Sequence, residues 1–494
     1  MIAKSNLHKR RIFSLVAGFS LGLFHGDLCG QEPPAKKKST PPPVSAKQDS
    51  QTTQQKDKII IELENRMRKQ QEELQLLKLF AESLSEIERS YVQPVNRRRL
   101  IEAAIEGMLD ELDPYSDFIP QEELAEFQTD IESEYGGIGI RVVKRPDEDY
   151  LRVTTPILDS PAYQAGVRGD TWIVKIGEID AKNFSVTKAI ELMQGDIGST
   201  LEVTFRDPEN GKDQKLEIAR ALIQVKTVLG DQRLPNDQWD YFLRSGPSLP
   251  AEKIGYIRIT NFGRQTGDEL KAVMNQLLED RLQGLILDLR FNPGGLLSEA
   301  ITISDLFVDK GLIVRTEGRN ASPRRWKATQ KGTLTGFPIA ILVNGRSASA
   351  SEIVAACLKD ADRAVVVGQR TFGKGSVQNM VELENGRSLM KLTTAAYFRP
   401  NGQNINRMSN HSEDDIWGVR PSSGYEVKML PESDLKYRNY RRSRDVIGRR
   451  KENQSEVQEF DDLQLKKALE YTRSQINLSA SPENNSTPLK QRCP

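Results

Sequence analysis

The chain is 494 residues long, with a formal net charge of +1 at pH 7 and 37% hydrophobic residues, long enough for two or three domains with a sizeable core. Its balanced charge gives no general electrostatic reason to bind nucleic acid. Three cysteines, Cys29, Cys357 and Cys493, make no disulfide framework, and without a His/Cys cluster nothing calls for a metal or a cofactor.

At the amino end, Lys4, Lys9, Arg10 and Arg11 precede a mostly apolar run over 12–24. That run is short for a bilayer. It predicts a signal peptide over 1–30 and an exported protein, periplasmic or in the cell envelope, membrane-anchored if the segment is retained. Residues 31–56, rich in Pro, Lys and Gln, read as a flexible linker. A helical segment is expected over 57–130. Ile60, Leu63, Met67, Leu74, Leu77 and Leu84 keep helical spacing, and a second helix runs from Arg97 towards the turn Asp113-Pro114. Packing or homodimerisation accounts for such helices, and nothing in them carries chemistry.

Over 131–225 the pattern changes to short strands. A helix expected over 186–193 has Ser185 placed to cap it. Strands at 201–205 and 215–218 flank Asn210-Gly211, a strong hairpin signal. The module opens on Tyr135-Gly136-Gly137-Ile138-Gly139-Ile140. Such a loop can aim several backbone N–H groups at one point and hold a carboxylate, while the strand after it pairs with an extended peptide. Gly137, Ile138, Gly139 and Ile140 are the candidate peptide-binding residues.

Between 226 and 430, near-continuous apolar strands (254–259, 284–290, 337–343 and 363–368) alternate with helices (268–280, 296–307 and 349–359), an α/β layer fold. Two of its turns have a chemical reading. Asn292-Pro293-Gly294-Gly295 offers backbone N–H groups at a helix start. Ser349 sits where a strand turns into the next helix, with the Ala350 N–H and the positive helix end facing the same space. Two such donors, from Ala350 and from Gly294 or Gly295, are what a tetrahedral oxyanion needs. Ser349-x-x-Glu352 also fits a capping box. The alternating Ser347, Ser349 and Ser351 leave the nucleophile ambiguous from chemistry alone.

Histidine offers little help as a base: His8 and His25 lie in the leader, and His411 in a polar, loop-like stretch. Lys374, between two glycines in Thr371-Phe372-Gly373-Lys374-Gly375-Ser376, is the candidate to activate a serine. The stretch 368–374 nearly matches a phosphate loop, but Gly375 stands where a Mg²⁺-binding hydroxyl is required. Cys357, in an apolar helical run, reads as a small core residue.

In their order and spacing, the motifs Gly137 to Ile140, Gly284 to Gly295, Ser347 to Asp360 and Thr371 to Gln378 resemble those of the carboxyl-terminal-processing (tail-specific) serine proteases. The resemblance implies a multidomain α/β protein: a crotonase-like β-β-α superhelix protease core over 226–430, a PDZ domain inserted over 131–225, and an N-terminal helical segment. It selects Ser349 as nucleophile, Lys374 as general base and Gln378 as the residue that orients the lysine. It further implies an endopeptidase that recognises exposed, apolar polypeptide C-termini, with an adaptor as a further partner and no cofactor. A catalytically silent PDZ scaffold that recruits exported proteins is the alternative, against which the intact Ser349, Lys374 and Gln378 set speaks. Asp360 matches an acidic position in some relatives, where a helix-terminal structural role serves as well. The basic tail over 431–494, with Arg438, Arg441, Arg442, Arg444, Arg449, Arg450 and Lys451, is expected as solvated surface ahead of a terminal helix.

Overall fold

The apolar runs of the third region become a five-stranded sheet in the computed structural model, which describes residues 46–124, 127, 134–243, 252–408, 410–447 and 460–480. Strands Ile254–Ile259, Gly284–Asp288, Ile339–Val343 and Ala364–Gly368 pair in parallel in that order, with Val228–Leu229 antiparallel at the first edge. All their residues are buried, because a parallel sheet is covered on both faces. Strand parity divides the cover. Ile257, Leu285, Leu287 and Ile341 pack with residues of the helices Thr266–Glu279, Leu297–Asp305 and Ala350–Asp360. Tyr256, Ile286 and Leu342 pack on the other side with Ala468 of the helix Leu463–Ala480.

A second sheet, absent from the expected elements, is built around Ser388–Phe398, which pairs with Ser376–Leu383, Leu312–Gly318 and Asp117–Ile119. Ala321–Lys327 pairs on the outer side of Leu312–Gly318. Most of its residues are half-buried or exposed, so they make no continuous apolar run in the sequence. Asp117–Ile119 thereby joins the core, although it lies within the segment expected to be helical.

Residues 134–224 have their own apolar core, containing Ile138, Leu151, Ile173, Val203, Phe205 and Ile218. The strands Ile140–Val143, Leu151–Pro156, Trp172–Ile176, Thr200–Arg206 and Asp213–Ala219 form one sheet in that order. As expected, the Ser185 side chain caps the helix Val186–Met193 by accepting from the Lys188 N–H, and the hairpin over Asn210-Gly211 forms. Glu134–Gly137 pairs with Ala221–Gln224. The chain therefore enters and leaves this module side by side, as an insertion would.

Helix Ala46–Ser90 belongs to a separate unit. It begins at Ala46, within the expected linker, since the Ala, Lys and Gln of that stretch are good helix formers. Ile60, Leu63, Met67, Leu74 and Leu77 are exposed on it. Among the described residues no helix is long and apolar enough to cross a membrane; the expected leader lies outside them.

The basic run beyond 430 is not simply solvated surface. In the helix Pro431–Asp445, Arg441 pairs with Asp231 (3.2 Å) and Asp445 (3.4 Å), and Arg444 pairs with Asp231. Arg258 reaches Asp445 at 2.6 Å. The buried Arg290 bridges Asp288 (2.7 Å) and Asp462 (2.9 Å), and the hydroxyls of Tyr256 and Tyr437 donate to Asp288. Buried charges persist only when paired, and several of these partners, Asp231 for Arg441 and Asp462 for Arg290 among them, lie far away in sequence. Arg449, Arg450 and Lys451 fall outside the described residues.

Candidate active site

The turn between Ile339–Val343 and Ala350–Asp360 is stapled to the neighbouring turn that ends in Gly294-Gly295. Asn344 Oδ1 accepts from the N–H groups of Phe291 (3.0 Å) and Arg346 (3.1 Å). The Ser347 hydroxyl donates to the Leu289 carbonyl at 2.8 Å, and the Ser351 hydroxyl to the Asn292 carbonyl at 3.0 Å. Two of the three alternating serines are thus consumed in holding the turn. Ser349 stands between them at φ +54°, ψ −114°, a strained backbone for a residue other than glycine. It heads its helix in the capping-box arrangement with Glu352, whose carboxylate accepts the Ser349 N–H.

Glu352 holds the turn from below. Its carboxylate is fully buried and accepts four hydrogen bonds. Oε2 takes the N–H of Ser349 (2.8 Å) and of Lys374 (2.8 Å). Oε1 takes the Thr371 hydroxyl (2.5 Å) and the Gly373 N–H (2.7 Å). One side chain therefore ties the backbone of Ser349 to the loop that carries Lys374. Burial pushes the Glu352 carboxyl up to about 7, against these hydrogen bonds.

Lys374 is lowered from the ordinary lysine value, first by burial and then by Lys391. Its Nζ lies 5.0 Å from the centre of the Tyr115 ring. Among the described residues no hydrogen bond joins Lys374 Nζ to Ser349 Oγ. Gln378 also makes no bond to Lys374, and its amide instead donates to Ser376 Oγ (2.8 Å) and Thr393 Oγ1 (3.1 Å). The buried Tyr397 phenol is pushed up to about 12 by burial, with a side-chain hydrogen bond to Ser349 opposing the rise. Asp360 is occupied by Arg399 in a largely buried ion pair at the end of its helix. Tyr115 and Tyr397 carried no signal in the sequence, and Thr371 figured only as the start of the motif around Lys374. Glu352 carried one, as the acidic partner in Ser349-x-x-Glu352.

Of the candidate oxyanion donors, the Gly294 N–H is taken by its neighbour Asn292 Oδ1 at 2.9 Å. The N–H groups of Gly295 and Ala350 donate to no other group among the described residues. Gly294 lies directly against the serine: at its φ of +102°, an added Cβ would come within 2.7 Å of Ser349 Cβ and 2.8 Å of the Ala348 carbonyl oxygen. Gly294→Ala is accordingly expected to lower kcat/KM by at least about 10²-fold through displacement of Ser349. Thermal melting beside the kinetics distinguishes a misplaced serine from a chain that fails to fold.

In the module over 134–224 the Ile138 carbonyl accepts from the Ala162 N–H, and the Gly139 carbonyl from the Ile157 N–H and the Ser160 hydroxyl. With these carbonyls turned inwards, the N–H groups of Ile138 and Gly139 donate to no other group among the described residues. Gly139 has φ +80°, and a Cβ there would meet Ser160 Cβ at 2.3 Å, so glycine is required.

Comparison with known proteins places the chain in one family. The family model for peptidase family S41 matches residues 253–416, and that for the N-terminal domain of the activating protease CtpB matches residues 44–123. The carboxy-terminal-processing protease of Bartonella bacilliformis is 34% identical over 82% of this chain and 89% of its own length. The carboxy-terminal processing protease CtpA of Bacillus subtilis is 35% identical over 65% of each chain. Among solved structures, a photosystem II D1 C-terminal processing protease aligns with 72% of this chain and 93% of its own, at 27% identity and a TM-score of 0.40.

Proposed function

The chain belongs to peptidase family S41 and is a serine-type peptidase of the carboxy-terminal-processing kind, and from that premise we propose that Ser349 is its nucleophile, Lys374 its general base and the inserted module a PDZ domain that reads substrate tails. The observation that carries this reading is the Glu352 carboxylate, which takes the N–H of Ser349 and the N–H of Lys374 on one oxygen. Serine and lysine on separate elements are thereby kept as neighbours.

In this mechanism a neutral Lys374 accepts the proton of Ser349 Oγ as the oxygen attacks the scissile carbonyl. The resulting oxyanion meets the N–H groups of Ala350 and Gly295, at the positive end of helix Ala350–Asp360. The protonated lysine then gives its proton to the leaving amine, and water repeats the cycle on the acyl-enzyme. With its Nζ against Tyr115, Lys374 must rotate towards Oγ before the first step. Gln378, two strand residues beyond Ser376, orients the lysine in that rotated position. The basic and apolar amino-terminal segment supports export of the chain.

The experiment is cleavage of an unfolded model protein bearing either an apolar C-terminal residue or a terminal lysine, by the wild-type chain and by Ser349→Ala. Cleavage of the apolar-tailed substrate, lost in the variant, is the expected result. Binding of the tail without any cleavage by the wild type would instead favour a silent scaffold.

A further inference from the structure

The loop Gly137–Ile140 opens into a cavity of about 1150 Å³ whose far wall is not part of the inserted module. Ile138, Ile140 and Ile190 line the module's side, and Arg438, Arg442 and Val446 face them at the end of the chain's basic run. The helix that carries the arginines is held at its middle and just past its C-terminal end. Tyr437 stacks on Phe291 with ring centres 5.5 Å apart, and just beyond the helix the Ile447 N–H donates to Thr155 Oγ1 at 3.0 Å.

Most charges around this cavity are already neutralised. Arg441 pairs with Asp231 and Asp445, Arg290 with Asp288, and Glu191 with Lys188. Glu122 and Glu123 border it from a short turn on the core side. Arg438 and Arg442, one helical turn apart, are exposed and have no carboxylate, carbonyl or ring partner among the described residues. Arg141, which sits on Ile140–Val143, the free edge strand of the module's sheet, also has no carboxylate partner among the described residues and lies near the Tyr135 phenol. Three guanidinium groups without carboxylate partners thus border the groove where an extended peptide would pair with that strand.

We propose that Arg438 and Arg442, with Arg141, form a subsite that selects polypeptide tails carrying an Asp or Glu side chain upstream of their last residue. The subsite rests on the reading of Gly137–Ile140 as the tail-binding loop. The terminal carboxylate takes the free N–H groups of Ile138 and Gly139, and the chain before it runs along Ile140–Val143. A side-chain carboxylate on that stretch meets guanidinium groups that can grip it in bidentate fashion. The basic run at the chain's end would then have a function in specificity that the protease core does not supply.

The test is fluorescence anisotropy of labelled peptides with the full chain. Three peptides share an apolar last residue: one has an upstream Glu, one has Gln in its place, and one has the Glu with an amidated end. The Glu peptide is expected to bind the wild type about three- to tenfold more tightly than the Gln peptide, with the ratio shrinking as salt rises. In the Arg438→Gln/Arg442→Gln double variant the ratio falls towards one through weaker binding of the Glu peptide alone. Amidation weakens binding to both proteins by the same factor. Equal wild-type affinities for the Glu and Gln peptides, with amidation still harmful, would overturn the arginine subsite and leave the tail-binding loop standing. Absence of binding, or indifference to amidation, would remove the loop reading and the subsite with it.

Discussion

Lys374→Arg is expected to lower kcat/KM by about 10²–10⁴-fold, the range spanned by a general base, with little change in melting temperature. The substitution keeps a cation of similar length against the Tyr115 ring, so packing and charge are largely preserved. What is lost is the ability to be neutral, since a guanidinium is effectively never deprotonated in a protein. A quenched peptide with an apolar tail provides the assay. An arginine variant that kept more than about a tenth of the wild-type rate would remove Lys374 from the role of base.

The pH dependence follows from the same requirement. Only the neutral amine accepts a proton from Ser349, so the wild-type rate rises as pH rises through the pKa of Lys374. Burial, helped by Lys391, lowers that pKa, which brings the rise below the ordinary lysine range. Stability shares the sign. The folded chain binds this proton less readily than the unfolded one, so Lys374 costs stability at neutral pH, and the cost disappears as pH climbs past the unfolded value. A base poised for catalysis is here a small liability for the fold.

Much of the core was legible in the sequence because a covered parallel sheet is written as apolar runs. Ile254–Ile259, Gly284–Asp288 and Ala364–Gly368 were readable for that reason. The second sheet was not, since strands such as Ser376–Leu383 and Ser388–Phe398 bury few residues fully and show no clean alternation. The two turns that carry Ser349 and Lys374 were readable as turns with exposed backbone donors and a lone lysine, but Ser349 itself was singled out only by the family resemblance. The choice among three serines by hydrogen bonding was not readable, because the partners of Ser347 and Ser351 are carbonyls of Leu289 and Asn292, more than fifty residues away. A still larger separation, 210 residues, hid Asp231 from Arg441, and so concealed how the basic run docks.

Glu352→Gln tests whether the carboxylate that joins the two halves of the site is needed as a charge or only as a shape. Both oxygens of Glu352 accept two hydrogen bonds each, and every partner is an N–H or O–H donor. A glutamine amide can present only one oxygen, so its NH₂ group must face donors. With at least one buried donor unsatisfied, the fold loses about 1–3 kcal/mol, and kcat/KM falls by about 10²-fold as Ser349 and Lys374 move apart. Burial pushes Glu352 up to about 7, so the wild type carries a second requirement for alkaline pH. Below that value two groups must lose protons before Ser349 can react, and the acid limb of log kcat/KM should steepen from one proton to two. In Glu352→Gln the limb is expected to follow one proton throughout, that of Lys374. The stability profile changes with it. A carboxyl raised in the folded state contributes stability that is fully present below its unfolded pKa and is lost as pH rises through about 7, and the variant should lack that loss. If Glu352→Gln kept the two-proton limb, another group would be titrating there, and Glu352 would be left with the role of a cap. Loss of rate together with the one-proton limb would instead make this buried carboxylate the positioning residue that keeps serine and lysine in register.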